Sequence, residues 1–359
     1  MKSLQNTAVG TRLRACYAMI ALSIFSFACS IGHPLTGILP PPLPEDDTDL
    51  ALLALLGFPT ASAATDGGTT SPFNCAGAPL NFQSVSGVTG SWKAVSSGNG
   101  RFVAVESTGN DTLASTDGTS WTAGTQPISD ANLGVDIAND RFLTANNNGN
   151  VAASTDGISW SGVAPIAGDE WSAFAFGNGR YVGVASALNT GCDAIMHSAN
   201  GVSWTGVPGS IVESNDVIFG DGRFVAVGGT VNSLTSPDGA AWTTHATLPS
   251  AGWKDLAYGG GVYVAVDFNK VTSSPDGISW TAHTPAEANI WRGVAYGDGL
   301  FVAVSSDGTN RVMTSTDGAN WSINTTAPAQ LWSDITYQAG RFVAAGITGG
   351  IMYADCAAQ

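Results

Sequence analysis

The chain has 359 residues, a net charge of −15, only 11% charged side chains and 45 glycines. This composition suits many short strands joined by tight turns rather than helices. An acidic surface repels phosphate backbones, which removes nucleic acid from the expected partners.

Residues 1–29 read as an export leader. Lys2, Arg12 and Arg14 precede the apolar run Ala15 to Ala28, which is too short to span a bilayer comfortably and suits a signal h-region. The run ends Ser26-Phe27-Ala28-Cys29. Small residues at −3 and −1 fit a signal peptidase. A cysteine at +1 resembles a bacterial lipobox, although Phe27 is a poor match at −2. Cys29 is therefore a candidate lipidation site, with plain secretion after nearby cleavage as the alternative.

Residues 30–74 read as a flexible tether. Pro40, Pro41, Pro42 and Pro44 stiffen it, and Glu45, Asp46, Asp47 and Asp49 form an acidic run. Leu50 to Ala64 is almost wholly apolar, yet too short for a membrane span and wrongly flanked for a second signal. A short membrane-proximal helix is one reading of it.

From about residue 80 the chain repeats. Six tryptophans close a seven-residue box, Ser-x-Asp/Asn-Gly-x-x-Trp: Trp121, Trp160, Trp204, Trp242, Trp280 and Trp321, spaced 38 to 44 residues apart. The other five, Trp92, Trp171, Trp253, Trp291 and Trp332, occupy a second slot, whose degenerate copies are Asn132 and Ser214. A four-strand unit of about 40 residues is the signature of a propeller blade. The expected fold is all-β: a seven-bladed β-propeller of four-stranded antiparallel blades over residues 75–359, its ring closed by an N-terminal strand.

Each repeat opens with an alternating strand such as Trp291 to Tyr296. A Gly-rich turn follows, as in Gly98-Asn99-Gly100. Next comes an apolar strand of the type Arg101 to Val105, suited to burial on both faces. The Asp-Gly or Asn-Gly pair of each box predicts a primed two-residue hairpin with positive φ at both residues. The box tryptophan is expected to lie on the fourth strand and pack locally.

Boxes such as Ser154-Thr155-Asp156-Gly157-Ile158-Ser159-Trp160 resemble the Asp-box (BNR) repeat of sialidase-like propellers, in a variant one residue shorter between Asp and Gly. The resemblance covers residues from about 80 to 356. It implies the fold, and it implies little about activity, because such boxes occur in enzymes and non-enzymes alike.

The seventh repeat lacks its outer strand. Leu80 to Val85, with Phe82 in the tryptophan position, is predicted to supply it. Cys356 falls where the missing box aspartate would be, and Cys75 lies just before the closing strand. A Cys75–Cys356 disulfide is therefore expected, in keeping with an oxidising compartment. Cys192 is left without a partner.

The two turn types sort the edges of the disc. The Gly-rich and Asp-Gly turns share one edge and are short and repetitive. The loops between second and third strands, and the blade-to-blade connections, share the other edge and vary. Binding residues favour variable loops on a rigid scaffold, so this variable face is the expected functional face.

Trp92, Trp171, Trp253, Trp291 and Trp332 begin the innermost strands there and are candidate ligand-stacking residues, with inter-blade packing as the plainer reading. Two residues further on, Asp216, Asp255 and Asp334 are candidate channel-lining ligands. Arg292 and Arg311 are the arginines able to reach this face. The remaining strand arginines follow the repetitive turn, so no sialidase-like arginine cluster is expected. No His-Glu-x-x-His, Cys-x-x-Cys or P-loop pattern occurs, and neither metal nor cofactor is expected.

The sequence thus points to an exported, non-catalytic binding propeller. It would be monomeric and either secreted, periplasmic or held at the bacterial outer membrane or cell surface by an N-terminal lipid anchor, its only expected membrane contact. The ligand would be a glycan or a protein. A sialidase-like glycoside hydrolase and an assembly or stability factor for an envelope complex are the alternatives.

Overall fold

A computed structural model describes residues 71–358, apart from residues 78, 129–131, 166–169, 188–192 and 211. The leader, Cys29, the apolar run 50–64 and Cys192 lie outside the described residues.

The described chain forms seven four-stranded antiparallel sheets. Blade 1 comprises Trp92–Gly98, Arg101–Glu106, Asp111–Ser115 and Thr122–Thr125, from the channel outward. The inner strands of blades 2 to 7 are Asn132–Ala138, Glu170–Gly177, Asp216–Gly220, Asp255–Gly259, Trp291–Gly297 and Trp332–Gln338.

The ring closes as the sequence predicts. Gln83–Ser84 pairs with Ile351–Asp355 as the outer strand of blade 7. The paired segment is shorter than Leu80 to Val85, but Val85 N–H still donates to the Ile351 carbonyl at 2.8 Å, and Phe82 is buried. Cys75 and Cys356 are bonded, with Cα atoms 4.4 Å apart at a sequence separation of 281. Phe73–Asn74, expected in the tether, pairs with Ala357–Ala358 and extends the clasp.

The turns exchange their expected chemistry. The primed hairpins are the Gly-rich ones: Asn99 and Gly100 have φ of 52° and 72°, and Asp221 and Gly222 have 46° and 72°. In the boxes only the glycine has positive φ. Each box is a longer loop, and its tryptophan precedes the fourth strand instead of lying on it, as Trp160 precedes Ser161–Val163.

The box is internally bonded. Ser154 Oγ accepts the Gly157 N–H at 2.8 Å, and Asp156 Oδ1 accepts the N–H groups of Ile158 and Ser159 at 2.9 and 2.8 Å. Trp160 Nε1 donates to the Gly157 carbonyl at 3.0 Å. A Cβ on Gly157 would come within 2.3 Å of Val103 in blade 1, so the box braces the preceding blade.

The slot tryptophans form the other joint. Trp171 of blade 3 shares a core with Leu143, Ala145 and Val151 of blade 2. Trp253 packs with Val225 and Val227, Trp291 with Val264 and Val266, Trp332 with Val302 and Val304, and Trp92 with Val343 and Ile351. In every case the partner is the preceding blade. Where the slot is Asn132, its Nδ2 bonds the Glu106 carbonyl at 2.6 Å, so a polar pin replaces the ring.

Two expectations follow. Trp291→Ala leaves a cavity between blades 5 and 6 and should cost about 3–5 kcal/mol, read as a lowered denaturation midpoint. Reducing the Cys75–Cys356 bond should lower stability by up to about 5 kcal/mol in the chain-entropy account. Amide exchange should then rise first at Gln83–Ser84 and Ile351–Asp355. An unchanged melting curve under reductant would contradict the clasp.

Candidate functional site

The central channel has two compartments. Residues Lys93, Leu133, Ser172, Asn215, Lys254, Arg292 and Ser333 line the compartment on the variable face, a cavity of about 130 Å³. These are the residues directly after the slot in all seven blades. The compartment toward the repetitive face is about 370 Å³ and includes Phe176, Phe219, Tyr258, Tyr296 and Tyr337 in its lining.

In five blades a β-bulge at the slot accompanies the ring of post-slot residues. Pairing slips between Trp92 and Ala94, between Trp291 and Gly293, and between Trp332 and Asp334. A bulge inserts one unpaired residue and re-aims side chains. The extra residue here is the one that borders the lumen. Simple alternation hides Lys93 and Lys254, because it places slot and slot-plus-two residues together.

The five slot tryptophans are not open at the channel mouth. Trp92 is 5% exposed, Trp253 is 1%, and Trp171, Trp291 and Trp332 are fully buried. Several are pinned by their indole N–H, which donates to Ser250 O from Trp253 at 2.8 Å and to Pro328 O from Trp332 at 3.1 Å. The expectation of an aromatic platform on these residues is corrected: inter-blade packing consumes their ring faces.

Asp216, Asp255 and Asp334 do reach the channel, and the structure adds Asp136, which the slot alignment missed. All four line both compartments and form the neck between them. Each carboxylate accepts a backbone N–H from the next blade. Asp136 takes Phe174 N–H at 2.9 Å, Asp216 takes Leu256 at 2.7 Å, Asp255 takes Val294 at 2.6 Å and Asp334 takes Val95 at 2.9 Å. They are struts between inner strands. The signal that could have found Asp136 is its place on an innermost strand.

Burial in the disc raises all four carboxyls above the ordinary range. The nearby charge of Asp216 adds to the rise at Asp136 and Asp255. Asp334 is pushed up to about 7, against the pull of its Val95 and Ile335 N–H bonds. Asp216 is 8% exposed, and the other three are partly wetted through the lumen.

Above the neck, Lys93 sits on blade 1, Lys254 on blade 5 and Arg292 on blade 6. Burial lowers the Lys93 pKa, and the neighbouring charges of Arg292 and Lys254 lower it further, while Asp334 opposes them. Arg292 Nε donates to Ser306 Oγ at 3.0 Å. Arg311, the other predicted arginine, bonds the Gly308 carbonyl at 3.1 Å within its own loop and does not line the mouth.

The remaining arginines serve the opposite face. Arg341 donates to the Asp117 carbonyl of the next blade's box, and Arg223 to that of Asp276 at 3.2 Å. Two large apolar side chains stand exposed among the variable loops: Val231 of blade 4 at 48% and Phe268 of blade 5 at 56%.

Residues 201–338 match the model of the DUF6242 beta propeller domain. No curated protein sequence matches the chain. Among solved structures, virginiamycin B lyase from Staphylococcus aureus is similar at a TM-score of 0.66 and 11% identity, covering 77% of this chain and 99% of that one. A structure of YCF48 bound to D1 peptide has a TM-score of 0.60 and 15% identity, covering 81% and 99%. The Pan2 WD40 domain of Neurospora crassa has a TM-score of 0.60 and 8% identity, covering 77% and 95%. These likenesses establish the propeller fold.

The neck yields a pH prediction. A carboxyl whose folded pKa is raised contributes stability that is complete below its unfolded value, near 3.8, and lost as pH rises through about 7. Asp334→Asn keeps an acceptor for Val95 N–H but does not titrate. The fall in melting temperature between pH 4.5 and 7.5 should therefore be shallower in the variant. Equal slopes would contradict the assignment.

Proposed function

We propose that this propeller is a non-catalytic interaction module that docks a protein or peptide ligand on its variable-loop face. The observation that carries the reading is the pairing of exposed Phe268 and Val231, on loops of adjacent blades, with a cation-lined channel mouth on the same face. Apolar area supplies affinity, and the charges around it select the partner. A propeller offers this face on a rigid frame, so little ordering is needed on binding.

YCF48, which shares the fold, has been captured with a peptide, and that precedent suits a propeller without implying the same ligand here. A glycan ligand has less support, because the slot tryptophans that would have stacked on it are buried. The box motif supports a likeness to Asp-box propellers. The leader reading makes it an exported bacterial protein, tethered through Cys29 or released, and the Cys75–Cys356 bond suits that compartment.

The test is selection of peptides from a random display library on the immobilised full chain, run in parallel with a glycan array. Peptides should be enriched, and Phe268→Ser should weaken their binding at least about tenfold, the loss of roughly one buried aromatic anchor. Glycan hits without peptide hits, or peptide binding indifferent to Phe268→Ser, would contradict the reading.

A further inference from the structure

We propose that the variable-face mouth of the channel is a carboxylate-binding site formed by Lys93, Lys254 and Arg292. The proposal rests on the docking reading and deepens it: the mouth would receive an acidic side chain or the free C-terminus of a docked peptide.

The first support is placement. The chain carries only 13 lysines and arginines against 28 aspartates and glutamates. Three of those cations nevertheless border one small cavity. They stand on blades 5, 6 and 1, with Ser333 of blade 7 completing the arc. The start of the innermost strand puts the post-slot residue of every blade at this rim, so the geometry is set by the backbone and the cations by sequence choice at three of seven equivalent positions.

The second support is that these charges are unspent. The ion pairs among the described residues are Arg141–Asp140, Arg223–Asp221, Lys270–Asp267 and Arg341–Asp355, and none involves the mouth. The aspartates beneath could have neutralised the cations directly. Instead their carboxylates turn sideways to the N–H groups of Phe174, Leu256, Val294 and Val95. Three like charges held around a lumen repel one another, and at Lys93 burial lowers the pKa first, with the charges of Arg292 and Lys254 adding to it. A bound anion removes that repulsion.

The third support is selectivity by size and charge. About 130 Å³ has room for the end of an acidic side chain and is too confined for a folded segment. The acidic neck below disfavours phosphate, which gathers up to two charges on one group, more than a carboxylate end, which presents a single charge to the mouth and keeps any second carboxylate away from the neck. Arg292 can offer a forked donor pair, and the two lysines supply point charges.

The probe is glutarate, titrated into the full chain by calorimetry at low ionic strength, where screening is weakest. Glutaramide serves as the neutral control and inorganic phosphate as the rival anion. Glutarate should bind, glutaramide should not, and phosphate should bind more weakly than glutarate. Lys93→Met, Lys254→Met and Arg292→Gln should each weaken glutarate about tenfold, whereas Arg292→Lys should retain most of the binding. Melting curves establish that each variant is folded.

Unchanged glutarate affinity across the variants, or equal binding of glutaramide, would overturn the site. Tighter binding of phosphate would overturn the carboxylate assignment. The two readings fail separately. Peptide capture that ignores all three cations, with no glutarate binding, leaves the docking face standing and removes the anion site. Glutarate binding lost in the variants, with no peptide captured, does the reverse.

Discussion

A single blade cannot bury both faces of its own sheet. Each four-stranded unit here exposes an apolar face until the next blade covers it, so stability depends on contact between neighbours and on closing the ring. Three joints repeat around the disc. The slot side chain, most often tryptophan, packs into the core of the preceding blade. The box glycine, lacking a Cβ, lets its loop approach the preceding blade's valine, as Gly277 does with Val225. Near the axis, carboxylates replace absent ladder bonds by accepting N–H groups across the gap. The last joint is the clasp of Gln83–Ser84 with its disulfide, without which blade 7 would have an unpaired edge.

These joints decide where function has room. The repetitive face is committed to turns that hold blades together, with arginines reaching box carbonyls. The tryptophans near the variable face are consumed by packing. Among the post-slot residues Ser172, Asn215 and Ser333 bond carbonyls of the next blade at 3.0, 2.6 and 2.9 Å, but the loops with Val231 and Phe268 and the positions of Lys93, Lys254 and Arg292 enter none of these joints. They are where apolar and basic side chains stand free, and where this propeller can differ from others of the same fold. The aspartate neck belongs partly to both roles, since it joins inner strands while setting an acidic floor under the cationic mouth.

Much of this was legible in the sequence because it is periodic. Blade number, the closing strand with Phe82, and the Cys75–Cys356 bond all follow from register between repeats. The turns were read less well. Asp-Gly is the usual pair for a primed hairpin, yet here the Asx geometry of Asp156 builds a longer loop, and Asn99-Gly100 makes the hairpin. The candidate site suffered most, for one reason. Alternation assigns faces by parity, and a bulge at the slot changes parity. Parity leaves Trp291 a candidate for the ligand beside its plainer packing role and hides Lys93, the residue inside the bulge. Arg292 is legible from its face alone, whereas Asp136 sits four residues beyond its slot, outside the slot-plus-two pattern.

The central claim is that the ligand meets the variable face, over the channel mouth and the loops of blades 4 to 6. Hydrogen–deuterium exchange of the full chain, with and without a saturating peptide selected on it, tests this most directly. The account predicts protection at Lys93, Lys254 and Arg292 and in the loops carrying Val231 and Phe268, with no change at the Gly-rich turns such as Asn99-Gly100. Protection confined to the Gly-rich turns and the box loops would place the ligand on the opposite face and contradict it.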